Sequence, residues 1–284
     1  MSSLNEIKER LNGAVQTRKI TNAMYLLSAS MMKKSLSSIE NAFSVYNVVF
    51  EALSDVFLYA KNDKTVKKYC KKRKDGAHII AVIMSDRGLC GTYNNDIASF
   101  TAGSVKNITG TSPVIYCFGT RGKDYLKSKK IKTDHIEKLD AGKSFSNASD
   151  RIGKMLKELF DSGKASEISI IYYDNVKHAP DIFTLFPLTL NEERKAPEKM
   201  YFEPSYKETA ENIVSAYISA SMRKIIISSC ASENTKRMEA MQNATDNADE
   251  MISELETELN MARQLVITNE ITETAAAADN LNGC

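Results

Sequence analysis

From Ser205 to Asn282 the chain contains neither Gly nor Pro, and a seven-residue apolar repeat runs through the segment. Ile213, Tyr217, Ala220, Ile227, Ala231, Met238, Met241, Ala248, Ile252, Leu255, Leu259, Ala262 and Val266 fill 13 of 16 heptad core positions; Lys224, Asn234 and Thr245 are the exceptions. The other end carries a matching repeat. Leu4, Ile7, Leu11, Ala14, Tyr25, Met32, Ile39, Ala42, Tyr46, Val49, Leu53 and Val56 fill 12 of 16 positions, interrupted by Arg18, Thr21, Ser28 and Ser35. A period of seven sustained this long selects a left-handed supercoiled pair of helices. The polar exceptions weaken the seam or set its register.

Charge indicates which helix each end prefers. Between Lys8 and Lys34 there are six cations and only Glu9 against them, whereas from Met238 onward there are ten acids and one cation, Arg263. Opposite fields favour pairing the two ends with each other. Both helices root in the same middle segment through opposite chain ends, so the pair is expected to be antiparallel. At 1.5 Å per residue, Leu4 to Leu58 spans about 80 Å and Ser205 to Ala278 about 110 Å. The second helix should therefore overhang the first by roughly 30 Å. On that overhang Leu265, Val266, Ile267, Ile271 and Ala275 to Ala278 surround the helix, a surface that needs a sheath.

The middle is punctuated: ten of 12 glycines fall between Gly76 and Gly163, and all five prolines between Pro113 and Pro204. Short apolar, β-branched runs at Ala77–Ser85, Ser112–Thr120 and Ser166–Asp174 read as strands. Helical patterns lie at about 93–102, 122–130 and 145–162. This alternation predicts right-handed crossovers and a mainly parallel, Rossmann-like sheet covered on both faces. A last run, Ile182–Leu190, contains Pro187 and is placed at an edge. The expected organisation is an N-terminal coiled-coil helix at 1–60, an α/β domain at 76–200 and a C-terminal coiled-coil helix at 205–279.

Few residues suggest bond chemistry. The loop Ser85–Asn94 (SDRGLCGTYN) follows a strand and precedes a helix, where a phosphate could meet free amides. It carries neither GxGxxG nor GxxxxGK[ST], and a tight turn at Gly88 and Gly91 explains it as well. His78, His135 and His178 are dispersed, with no ligand spacing. Ser85 and Asp86 lie outside any GxSxG elbow. The run Lys67–Lys74 (KKYCKKRK) is the densest basic patch and reads as a solvated linker before the first strand or as a nucleic-acid contact. A formal net charge of +2 offers no global field for nucleic acid. Five cysteines without short spacing fit a reducing compartment. The N-terminal segment carries acids and lacks an apolar core, unlike a signal peptide, and no stretch approaches about 20 uninterrupted apolar residues.

Three ordered motifs carry a resemblance. RKITNAM (Arg18–Met24), SDRGLCGTYN and the stretch ASENTKRMEAMQNATDNADEMISELETELNMARQLVITNEITE (Ala231–Glu273) resemble, over essentially the whole chain, the gamma subunits of F-type ATP synthases. Thr92 replaces a glycine of that family, Met31 stands where Lys is usual, and the AAAADNLNGC tail runs on to Cys284.

The resemblance implies a non-catalytic rotor shaft that carries no cofactor and binds no nucleic acid. Its partners would be the alpha and beta subunits, three of each, the epsilon subunit and the membrane c-ring. It would lie peripherally on the cytoplasmic side of a bacterial cell membrane, without direct insertion. Carried over by motif, Arg263 and Gln264 would contact a catch loop of one beta subunit, with Thr268 and Glu270 in the same coupling region. Met24 and Arg237 would lie near the beta subunit's acidic lever loop. Bland readings stand beside these: coiled-coil packing for Met24, a pair with an acid on its own helix for Arg237, and solvated surface for the rest. A dimeric coiled-coil scaffold and a nucleotide-binding enzyme are the competing classes, separated by a size measurement and by a ligand titration.

Overall fold

The computed structural model describes residues 4–73, 75–108, 112–141, 144–191 and 193–282, with side chains described to residue 275. Lys74 of the basic run, the side chains of Ala276–Ala278 and Cys284 lie outside the described residues. Two helices dominate, α1 (Leu4–Tyr59) and α6 (Tyr206–Asn282). Between them come α2 (Lys64–Cys70), β1 (Ala77–Ile83), α3 (Tyr93–Asn107), β2 (Val114–Phe118), α4 (Gly122–Ser128), β3 (His135–Glu137), α5 (Phe145–Asp161), β4 (Ala165–Asp174) and β5 (Ala179–Phe186). By contacts the chain forms two units, residues 1–28 with 238–284, and residues 29–237.

In the first unit the helices run antiparallel. Arg10 pairs with Glu258, Arg18 with Asp249 at 2.5 Å, and Thr245 Oγ1 donates to Thr21 Oγ1 at 2.8 Å, so one number rises as the other falls. Ile7, Ala14 and Leu255 form the seam, joined by Leu11, Ile252, Leu259 and Ala262. Two heptad exceptions, Thr21 and Thr245, thus meet each other, while Arg18 leaves the seam for an exposed ion pair. Ser28 is buried and returns its hydroxyl to the Met24 carbonyl at 2.7 Å. Ala262 is the last α6 residue of the described seam, and α6 runs on for about 20 residues, roughly 30 Å, with its described side chains from 263 to 275 exposed.

The second unit is a five-stranded sheet in the order β3-β2-β1-β4-β5, parallel except for β5. The alternation along β1 sorts the core. Ile79, Ala81 and Ile83 face α5, α6 and the end of α1, whereas Ile80, Val82 and Met84 face α3 and α4. Lys224, another heptad exception, places its ammonium over the Phe43 and Tyr46 rings at 4.6 and 4.1 Å. One 18-residue window of α1 has a mean hydropathy of 1.2, enough by length and composition to cross a membrane. Tyr46, Val49 and Phe50 of that helix are instead packed against the core of this unit.

Two elements differ from the sequence reading. The basic run is not simply a linker, because its first half, Lys67 to Cys70, lies in α2, capped by Asp63, whose carboxylate accepts from Thr65 N at 2.6 Å. Its aromatic, Tyr69, is buried and stacks on Phe160 and Phe186. Strand β3 was not expected; it is three residues long and is held by backbone pairing to β2. The edge strand is present, but it ends at Phe186, so Pro187 stands outside it.

Candidate functional site: the helix overhang and the loop 85–94

The order 3-2-1-4 places the topological switch point between β1 and β4, the crevice where open α/β sheets receive ligands. Here the chain fills that place itself. Ser229 of α6 shares a hydrogen bond of 2.7 Å with the Tyr93 hydroxyl and accepts from Tyr173 N at 3.5 Å, and Ser228 Oγ accepts from Asn175 N at 2.9 Å.

The loop 85–94 is tied from within. Asn94 Oδ1 accepts from Ser85 N at 3.1 Å and its amide donates to Ser85 Oγ at 2.6 Å. Asp86 accepts from the amides of Thr120, Leu139 and Asp140 at 3.1, 3.2 and 2.9 Å, which joins the carboxyl ends of β1, β2 and β3 through one carboxylate. These are amides of the kind a phosphate would seek, and a fixed negative charge already holds them. Gly119, beside this junction, has φ +125°, and a Cβ there would lie 2.2 Å from the Met84 carbonyl oxygen. Leu89, at φ +60°, is 62% exposed at the loop tip.

Arg237 locks this loop to α6. It is 6% exposed; its guanidinium donates to Glu233 at 2.6 Å, to Asn234 Oδ1 at 3.3 Å and to the Gly88 carbonyl at 3.3 Å. Burial holds the Glu233 carboxyl above the usual glutamate value, against the pull of Arg237. Burial likewise raises the thiols of Cys90 and Cys230, the latter strongly, so neither is poised as a thiolate nucleophile. Asn234, a heptad exception, therefore belongs to this polar knot, its amide donating to Cys230 O at 2.8 Å.

The remaining candidates are not brought together with Arg237 by any described contact. Met24 is half-buried in the first unit. Arg263, Gln264, Thr268 and Glu270 are all exposed on the unpaired part of α6. Arg263 and Glu270 are two turns apart on one face, and neither has an ion-pair partner among the described residues. Thr268 Oγ1 donates to the Gln264 carbonyl at 2.8 Å. Around them Met261, Leu265, Val266, Ile267 and Ile271 are exposed. A groove of about 400 Å³ between α5 and α6 is lined mainly by charged side chains of both signs, among them Asp150, Lys154, Lys157 and Glu158. No cluster of three metal-ligating side chains occurs among the described residues.

Asp86 and Glu233 brace this arrangement; Glu233 is the acid four residues before Arg237 on the same helix, and Asp86 was not singled out as a brace by its spacing in sequence. The SDRG motif marked the position of Asp86 but not its partners, which lie 34 to 54 residues away.

The sequence model described as ATP synthase matches residues 3–281. The chain is 32% identical to the ATP synthase gamma chain of Mycoplasmopsis synoviae, covering 99% of this chain and 100% of that one. It is 31% identical to the ATP synthase gamma chain of Lachnoclostridium phytofermentans, with the same coverage. Its fold is similar to chains in the mitochondrial ATP synthases of Euglena gracilis (TM-score 0.63, 13% identity, 98% of this chain and 94% of that one) and Tetrahymena thermophila, in a structure of its central stalk and c-ring (TM-score 0.57, 20% identity, 79% and 99%). The chain belongs to the ATP synthase gamma-chain family, the non-catalytic central-stalk subunits of F-type ATP synthases.

Proposed function

We propose that this chain is the rotating shaft inside a hexamer of alternating alpha and beta subunits, and that it transmits torque without binding nucleotide. The observation that carries the reading is the unpartnered segment of α6 beyond Ala262, where Leu265, Val266, Ile267 and Ile271 are exposed around the helix. A single helix with an apolar circumference is not stable in water and needs a sleeve. An off-axis pair of helices turning within such a sleeve presses each catalytic site in turn, changing its affinity for nucleotide.

In this reading the segments 1–60 and 205–279 form the shaft and 76–200 the collar, which seats the epsilon subunit and the c-ring. The complex lies on the cytoplasmic side of a bacterial membrane, with this chain peripheral to the bilayer. Arg263, Gln264, Thr268 and Glu270 contact beta near the end of the shaft, and Met24 contacts the acidic lever loop. For Arg237 the buried pair with Glu233 favours the bland alternative: it braces loop 85–94, and any effect on beta passes through that loop.

Co-purification of the full chain with alpha and beta, followed by ATP hydrolysis with and without it, tests the proposal. The hexamer should require the chain for steady turnover. Hydrolysis by the purified chain alone, above background, would overturn it.

A further inference from the structure

One carboxylate fills a place shaped for an anion. Asp86, just past the end of β1, accepts the amides of Thr120 and Leu139 on Oδ1 at 3.1 and 3.2 Å and that of Asp140 on Oδ2 at 2.9 Å. These amides come from the turns after β2 and β3, each of which holds a left-handed residue, Gly119 at φ +125° and Asp140 at φ +54°. Backbone amides turned onto one point make the kind of concavity that binds anions.

The concavity has a support of its own. Behind it, Arg151 of α5 donates to the carbonyls of Lys138 and Leu139 at 2.9 and 3.2 Å. Those carbonyls belong to the same two peptide units that present the Leu139 and Asp140 amides to Asp86. In a trans peptide the C=O and N–H point opposite ways, so both dipoles are fixed between a guanidinium and a carboxylate with their positive ends toward Asp86. Arg151 also pairs with Glu137, and Gly119 N donates to the Glu137 carbonyl at 2.8 Å, which ties the two turns together. The Asp140 carboxylate pairs with Lys138 at 3.2 Å. Arg87 and Arg121, which follow Asp86 and Thr120 in sequence, are exposed and make no ion pair among the described residues.

Asp86 is half-buried, so solvent reaches the place it occupies. That place lies on the β2 side of β1, away from the crevice between β1 and β4 that Ser228 and Ser229 fill. We propose that this junction is an oxyanion site whose ligand is the chain's own Asp86 carboxylate, an internal occupant that keeps inorganic phosphate and similar small anions out of the domain. A tethered carboxylate is presented at an effective concentration that free anions do not match. The occupant acts in the same way whether or not the chain turns inside a hexamer.

The test is thermal unfolding of the full chain and of its Asp86→Gly variant against rising inorganic phosphate, with ionic strength held by chloride. Phosphate also stabilises proteins by exclusion from their surface, which acts on both chains alike, so the readout is the variant's excess. That excess should level off at on the order of 5 °C. Formate, which restores the lost carboxylate, should reproduce it. In amide NMR spectra of the variant, Thr120, Leu139 and Asp140 should shift together with the same saturation. Arg151→Gln added to Asp86→Gly should weaken the response severalfold. Asp86→Asn keeps the shape and supplies the reading if the Gly variant does not fold: its neutral carboxamide should yield to the same anions at severalfold higher concentration. No excess in either Asp86 variant would overturn the proposal. So would a parent that responds equally, or a response indifferent to Arg151→Gln, since either places the anion elsewhere.

Discussion

Glu233 and Arg237 sit one turn apart on α6, joined at 2.6 Å, and the pair is buried against the carbonyl of Gly88. Taking both charges out of water costs more than an exposed pair would, and burial leaves the Glu233 carboxyl easier to protonate than in the unfolded chain. A raised acid pKa means that the folded state binds more protons between the two values. Stability from this group is therefore lost as pH rises from the usual glutamate value of 4.5 through the folded one. Glu233→Gln keeps an oxygen for Arg237 and removes the titration. The stability of that variant relative to the parent should rise with pH across this window, read from melting curves on both proteins. A difference that stays flat with pH would refute the coupling.

Removing Arg237 instead strands the carboxylate. Arg237→Met should cost about 3 to 5 kcal/mol at neutral pH, and much less when combined with Glu233→Gln. Chemical denaturation of the two single variants and the double variant measures the coupling directly. Additive losses would show that the pair is not a unit.

Asp86 closes the sheet's carboxyl end through three amides. Asp86→Ala should cost about 1.5 to 3 kcal/mol, the range for hydrogen bonds to a charged group. The loss should appear in hydrogen exchange at Thr120, Leu139 and Asp140 before it appears in the core of β4. Unchanged protection at those amides would show that water replaces the carboxylate without consequence.

A period of seven and opposite charge, both written along the chain, made the helix pair legible, and its direction followed from both helices rooting in the same middle segment through opposite chain ends. The polar exceptions could be seen but not interpreted: that Thr21 meets Thr245, or that Lys224 lies over Phe43 and Tyr46, depends on register and side-chain reach. Helix α2 was hidden because only Val66 and Tyr69 carry its apolar signal within a run of lysines. Strand β3 is too short and too polar to show a period, since β2 rather than its own side chains holds it. The overhang residues were named by motif, and their exposure followed from helix length alone. The Glu233–Arg237 pair was legible as an acid and a cation four residues apart on one helix, whereas nothing in the spacing of Asp86 announced its partners, which only the fold supplies.

Met24→Lys would place a new cation on the basic stretch of α1, close to the carboxylates proposed on the beta lever loop. An ion pair formed there must break at every rotary step. Breaking a charge pair at a partly desolvated interface costs on the order of 2 to 5 kcal/mol. Hydrolysis should survive while ion pumping per ATP falls, measured on the reconstituted complex at matched assembly. Unchanged pumping per ATP would discard the contact.

Arg263 and Gln264 are exposed just past Ala262, the last α6 residue of the described seam, and Arg263 has no ion-pair partner among the described residues. Arginine offers a planar fork suited to carboxylates, and glutamine both donates and accepts. If they hold a beta loop at one rotor angle, the hold must be moderate, because a tight one would stall rotation. Arg263→Ala with Gln264→Ala should lose a charge-assisted bond of about 1.5 to 3 kcal/mol together with a neutral one. Assembly should persist, since the seam at Ile7, Ala14 and Leu255 is untouched. Synthesis and hydrolysis should fall together, while the melting of the isolated chain stays where it was. Turnover and melting measured on the same preparations decide the matter: loss of folding would make the two residues structural, and full turnover would mean that torque passes through shape alone.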